Sequence, residues 1–130
     1  MAGTATVKIS TSIDDLGNSP PISRQYTVSD VDEVSYGYEA LAATTAIAID
    51  VGQVTSLQGV IVRLVSGGTT AATGLDIHLL STTWASGNGN LILLNGEAVH
   101  FRPGSSAALS MKNLNSSAAT VEFLVYGEDA

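Results

Sequence analysis

Residues 90–126 read NLILLNGEAVHFRPGSSAALSMKNLNSSAATVEFLVY, and this stretch decides the fold. Asn90–Leu94 is a short apolar run. Asn95-Gly96, which follows, is the strongest two-residue hairpin signal in the chain, because a type I′ turn needs φ > 0 at both central positions. Glu97–Arg102 returns from it with Val99 and Phe101 on one face and His100 and Arg102 on the other. After Pro103-Gly104, Ala107, Leu109 and Met111 alternate with Ser106, Ala108, Ser110 and Lys112. A polar turn, Asn113–Ser117, leads to a last strand. There Val121, Phe123 and Val125 alternate with Thr120, Glu122, Leu124 and Tyr126. A period of two with one apolar face is the mark of a half-buried strand, and this stretch holds four such strands in succession.

The same pattern extends toward the N-terminus. Thr4–Thr11 alternates, with Val7 and Ile9 opposite Lys8. Arg24–Val28 pairs Tyr26 with Val28, and Ser29–Glu33 reads as an acidic turn. Val34–Leu41 puts Val34, Tyr36, Tyr38 and Ala40 on one face; with Tyr26, these tyrosines form a stripe across two strands. Thr45–Val51 sets Ile47, Ile49 and Val51 opposite Ala46, Ala48 and Asp50. Leu57–Ser66 is apolar on both faces, interrupted by Arg63, which predicts a central strand or one covered by a neighbouring subunit. Leu75–Leu80 points Leu75, Ile77 and Leu79 inward and Asp76 and His78 outward. Ser81–Gly89 is a polar loop with the only tryptophan, Trp84. The Ala-rich piece Glu39–Ala48 is not a helix, because its threonines and isoleucines lose χ1 freedom there.

About eight or nine strands at this spacing predict an all-β protein: an antiparallel β-sandwich, jelly-roll-like. Strand order, and hence jelly roll against immunoglobulin-like topology, is not legible. One domain spanning residues 1–130 is expected from the length. Within it, Ser12–Ser23 reads as a loop or extended arm, because Pro20 and Pro21 lack the N–H a sheet interior requires.

Composition narrows the function. Hydrophobic residues are 45% and charged residues 13%, which is a folded protein rather than a disordered one. So few charges fit a surface partly covered by an assembly. The net charge is −7, and Lys8, Arg24, Arg63, Arg102 and Lys112 are scattered. A polyanion partner needs a basic face, so nucleic-acid binding is not expected. With no cysteine there is no disulfide, thiolate metal site or thiol nucleophile. The start, Met1-Ala-Gly-Thr, lacks the basic and apolar regions of a signal peptide. No apolar run approaches a membrane span. A soluble, non-secreted product is expected, without membrane contact.

Constellations for chemistry are sparse. His78 and His100, with Asp76 and Glu97 near in sequence, are the only residues from which a cupin-like metal site could be built, and no ligand motif joins them. Asp30-Val31-Asp32-Glu33 supplies oxygen ligands for Ca²⁺ but lacks the glycine and distal glutamate of an EF-hand loop. Asp14-Asp15 reads the same way, as solvated acid. There is no Gly-x-Ser-x-Gly elbow and no phosphate-binding loop. No catalytic residue, cofactor or metal is therefore expected. Trp84 reads as a cap on the core, a partner anchor or a platform for a sugar ring.

The segments Leu94–Pro103, Ala107–Asn115 and Ala118–Gly127 resemble the C-terminal half of small β-sandwich virion proteins of tailed bacteriophages. In those proteins a Gly-Glu turn leads into a strand, and a Lys-Asn-Leu-Asn turn precedes a final Val-rich strand ending in Gly. The likeness covers about 40 residues toward the C-terminus. It implies a non-enzymatic structural protein of the capsid decoration, or cement, type, located in the virion and assembled in the host cytoplasm. It also implies a symmetric homo-oligomer bound to other virion proteins such as the major capsid protein. It carries over no catalytic residue. The residues expected at partner contacts are Asp14, Asp15, Pro20 and Pro21 in the arm, Ile61 and Arg63 on the two-faced strand, and Trp84. The alternative is a carbohydrate-binding or lectin-like module using Trp84 and the tyrosines.

Overall fold

A computed structural model describes residues 2–11, 22–79, 82–85, 90–103 and 109–129. They form ten strands and no helix: β1 (Gly3–Thr11), β2 (Ile22–Val31), β3 (Glu33–Leu41), β4 (Ala46–Ala48), β5 (Ser56–Ser66), β6 (Leu75–His78), β7 (Leu91–Leu93), β8 (Ala98–Phe101), β9 (Ser110–Asn113) and β10 (Ala119–Glu128). β1 and β2 make a two-stranded ribbon. One four-stranded sheet has the order β3-β10-β5-β8, and the other has the order β4-β9-β6-β7. All pairings are antiparallel.

The ladders are nested. β6 pairs with β7, β5 with β8, β4 with β9 and β3 with β10. The chain is thus one long antiparallel hairpin rolled onto itself, the double-sheet arrangement of a jelly roll. The ribbon strands β1 and β2 answer to the expected strands Thr4–Thr11 and Arg24–Val28, and the described residues hold ten strands in all, above the expected eight or nine.

The core lies between the sheets. Val60, Val62 and Leu64 of β5, with Val121 and Val125 of β10, are fully buried, as are Leu75, Ile77 and Met111 of the other sheet. Each contributes about 1.5–3 kcal/mol by leaving water. Asn113 is a polar residue buried with them. Its Nδ2 donates toward the carbonyls of Leu41, Ala42 and Ser117 at 3.1, 3.2 and 2.9 Å, and its Oδ1 accepts from Asn115 N at 3.0 Å. It closes the corner between β3 and β4 against the turn after β9.

Asn95-Gly96 is not a hairpin. β7 and β8 belong to different sheets, so the chain must cross between layers about 10 Å apart rather than reverse within one. Only Gly96 takes a positive φ, 83°, and Glu97 N donates to Leu94 O at 2.8 Å. One positive φ at the third position is the pattern of a type II turn, not type I′. The corner is fastened to the end of β5: Gly96 N donates to Leu64 O and Gly67 N to Asn95 Oδ1.

Ser29–Glu33 is not a free acidic turn either. Thr4 pairs with Ser29 and Gly3 with Val31, so Asp30, at φ 60°, is the extra residue of a β-bulge that bends the ribbon's base. Ile22 and Ser23, expected in the arm, belong to β2. The rest of the arm, with Asp14, Asp15, Pro20 and Pro21, lies outside the described residues.

Candidate functional site: the outer face of the first sheet

Alternation along β3, β10, β5 and β8 sends one set of side chains away from the core. Register places Val34, Tyr36 and Tyr38 beside Tyr126, Leu124 and Glu122, then Ile61 and Arg63, then His100 and Ala98. This face explains why β5 is apolar on both sides. Its inner residues fill the core, and Ile61 on its outer side borders the ribbon of its own chain.

The ribbon has two unlike faces. Ala5, Val7 and Ile9 lie opposite Val28, Tyr26 and Arg24, whereas Thr4, Thr6, Lys8 and Ser10 lie opposite Ser29, Thr27, Gln25 and Ser23. The apolar face turns toward the sheet, and Val7 is buried. Between residues Thr6–Ser10 and the sheet residues Ile61 and Ala98–His100 runs a groove of about 620 Å³. The polar fastening is a Tyr–His–Tyr chain. Tyr26 OH lies 3.0 Å from His100 Nδ1, and His100 Nε2 lies 2.8 Å from Tyr126 OH. A neutral imidazole donates from one nitrogen and accepts at the other, so one tyrosine donates and the other receives. Gln58 Nε2 adds a bond to Ser29 O at 3.2 Å. Burial holds the His100 pKa below its ordinary value and raises that of Tyr126.

The ribbon covers only part of the face. At the β3 edge Val34, Tyr36 and Tyr38 are 57, 61 and 58% exposed. Next to them Tyr36, Ile61, Arg63, Ala98, Glu122 and Leu124 line a shallow groove of about 260 Å³. Arg63 Nη1 stands 3.8 Å from Glu122 Oε1, and Tyr36 OH donates to Glu122 Oε2 at 2.5 Å. The bond to Glu122 raises the Tyr36 pKa above its ordinary value. Solvent-facing tyrosines around a small polar pair have the composition of a protein contact: aromatic area with a hydrogen-bonding tip.

The opposite outer face is different. Lys112 Nζ sits 4.4 Å from the centre of the Trp84 ring, and Trp84 is half-buried. His78 Nδ1 contacts Asn90 Oδ1 at 2.9 Å, and Asn90 Nδ2 donates to Ala85 O, tying this segment down. Asp76 and Ser110 point outward from β6 and β9, yet both are buried. Asp76 Oδ1, Ser110 Oγ and Trp84 Nε1 have no hydrogen-bond partner among the described residues.

Of the expected contact residues, Ile61 and Arg63 fall on the exposed tyrosine face, and Trp84 falls on the other sheet. His78 and His100 are on opposite outer faces, and Glu97 Oε1 accepts from Leu94 N at 2.7 Å in the corner, so these three do not converge. Asp32 Oδ1 accepts from Asp129 N. No group of three or more His, Cys, Asp or Glu that could hold a metal ion exists among the described residues. The Tyr26–His100–Tyr126 chain was not foreseen. Its only signal is that tyrosine and histidine occupy the outward positions of otherwise apolar strands.

The class defined by this geometry is an eight-stranded jelly roll with an N-terminal ribbon laid across one sheet. No protein-family model, curated protein or solved structure matches the chain.

Proposed function

We propose that this chain is a non-enzymatic structural subunit of a virion, of the capsid-decoration kind, which works as a symmetric homo-oligomer bound to a protein lattice. The observation that carries the reading is the patch of Val34, Tyr36 and Tyr38, more than half exposed on a nine-residue edge strand of a packed sandwich. Contiguous exposed apolar residues mark interaction surfaces, and long unprotected edges invite pairing. The jelly roll is an architecture of viral shell proteins and of lectins, and that support is analogy at the level of fold. The test is direct. Antiserum against the purified protein is expected to label phage particles banded from lysates of the organism that carries the gene. Unlabelled particles from a lysate that contains the protein would sink the reading.

A glycan-binding reading is favoured by one observation. Tyr36 and Tyr38, two residues apart on β3, are both exposed on one face of the sheet, about 7 Å apart along the strand. The expected platform, Trp84, is half-buried with Lys112 over its ring. If a glycan array gives a signal, the tyrosines carry it: Tyr36→Ala must abolish it and Trp84→Phe must spare it.

A further inference from the structure

Asn95-Gly96 carries the chain from one sheet to the other, and the same dipeptide is chemically labile. In an Asn-Gly pair the glycine nitrogen attacks the asparagine side-chain carbonyl with little hindrance, because the second residue has no Cβ. The bond from Gly96 N to Asn95 Cγ forms, the Cγ–Nδ2 bond breaks, and ammonia leaves with the proton of Gly96 N. Water then opens the five-membered imide at one or the other carbonyl, which yields aspartate or isoaspartate. The reaction consumes only water.

Exposure does nothing to prevent this step. Asn95 and Gly96 are both exposed, and a side chain at Gly96 would meet no atom within 4 Å. What opposes it is hydrogen bonding. Gly96 N, the attacking atom, donates to Leu64 O at 2.8 Å, and Asn95 Oδ1 accepts from Gly67 N at 3.0 Å. The Gly67 donor alone would assist attack by drawing charge onto Oδ1. The bond to Leu64 O works against it, because the nitrogen reacts through the face of its peptide plane and that plane cannot turn without breaking the bond. The neighbours are pinned as well. Asn95 N donates to Gly68 O at 2.9 Å, Glu97 N to Leu94 O at 2.8 Å, and Leu94 N to Glu97 Oε1 at 2.7 Å. Every backbone N–H from Leu94 to Glu97 thus has a protein acceptor at a water-exposed corner, where solvent would have satisfied it. Gly68, which supplies one acceptor, has no room for a side chain against Thr73 O.

We infer that Asn95 is a latent modification site guarded by this corner, converting to aspartate or isoaspartate only in chains whose corner has opened. Local opening of this kind is a property separate from global unfolding. Isoaspartate makes the opening permanent, since its extra backbone carbon no longer lets residues 94–97 meet Leu64, Gly67 and Gly68 together. The inference stands apart from the virion reading.

The test is a time course of the purified full-length protein at mildly alkaline pH, folded and in guanidinium chloride, followed by peptide mapping in a mass spectrometer. Asn88-Gly89, the same dipeptide, is read in the same maps and calibrates the rate in denaturant. In the folded protein Asn95 is expected to convert at least about tenfold more slowly than in denaturant, because reaction waits on the open corner. Glu97→Ala removes the acceptor of Leu94 N at an exposed position, and it should raise the folded-state rate several-fold. Glu97→Gln, which keeps an acceptor, should not. Equal rates in the folded and denatured parent, with circular dichroism confirming the fold, overturn the inference. So does a folded Glu97→Ala protein whose Asn95 converts no faster than the parent's. If Glu97→Ala fails to fold, the comparison on the parent decides alone.

Discussion

Gly59 lies directly across the β5–β10 ladder from Tyr126, and the Tyr126 ring occupies the space where a side chain at Gly59 would begin. A glycine in a central strand normally weakens it; here it lets the Tyr126 ring lie flat on the sheet and bring its hydroxyl to His100. Gly59→Ala is expected to destabilise the protein by about 1–3 kcal/mol, the usual cost of overpacking. It should also detach the ribbon, raising amide exchange in β1 and β2 before global unfolding. A variant as stable as the parent in urea, with β1 and β2 still protected, would contradict this account of the glycine.

Ribbon docking should depend on pH through His100. Its folded-state pKa lies below the ordinary value of 6.5, because burial disfavours the imidazolium. The unfolded or undocked state therefore takes up the proton first as pH falls. The stabilisation is complete above the ordinary pKa and is lost progressively from about pH 6.5 downward, through the lower folded value. Hydrogen exchange of β1 and β2, corrected for intrinsic rates, should show more opening at pH 5 than at pH 7.5. His100→Gln should show a smaller difference between the two.

Asn113 Nδ2 gathers the carbonyls of Leu41, Ala42 and Ser117 at the β3–β4 corner, where Ala42 O also accepts from Thr45 N. Asn113→Asp keeps the shape but turns a donor into an acceptor. Leaving buried carbonyls facing a carboxylate is expected to cost at least about 2 kcal/mol. Chemical denaturation measures it; a change under half that size would mean the corner has other support.

Tyr38→Ser should leave the melting temperature within about 2 °C of the parent, because an exposed side chain away from the core contributes little to stability. It should nevertheless reduce self-association seen by light scattering several-fold. A variant that melts much earlier would show Tyr38 to be part of the fold rather than of an interface.

The phenol of Tyr36 donates to Glu122, and that bond is the first cause of its raised pKa. Glu122→Gln removes the acceptor charge, so Tyr36 should titrate closer to its ordinary value when followed by NMR. The loss of the exposed pair with Arg63 should change stability by less than about 1 kcal/mol.

Much of the sandwich was legible because alternation is a local property. Val121, Phe123 and Val125, or Val60, Val62 and Leu64, announce a buried face without reference to any partner strand. The same locality explains the misreading of Asn95-Gly96. A turn sequence states that the chain bends, but whether the next strand pairs in the same sheet or crosses to the other depends on partners far along the chain. β3 pairs with β10 and β4 with β9, and nothing within either strand names its neighbour.

The candidate site was legible only in pieces. The double apolar character of β5 signalled that something covers its outer face, but the cover proved to be the chain's own ribbon. The bulge at Asp30 turns that ribbon onto the sheet.

By itself, the sequence determined that this is an all-β, cysteine-free, acidic protein with its core on one face of each strand, because composition and period-two patterning are carried by neighbouring residues. Only the tertiary structure decided the jelly-roll order, the joining of Tyr26, His100 and Tyr126 into one fastening, and which tyrosines remain uncovered. Those depend on ladders between strands distant in the chain, where hydrogen bonding between backbones is nearly the same for any pair and the choice is made by how the whole core closes.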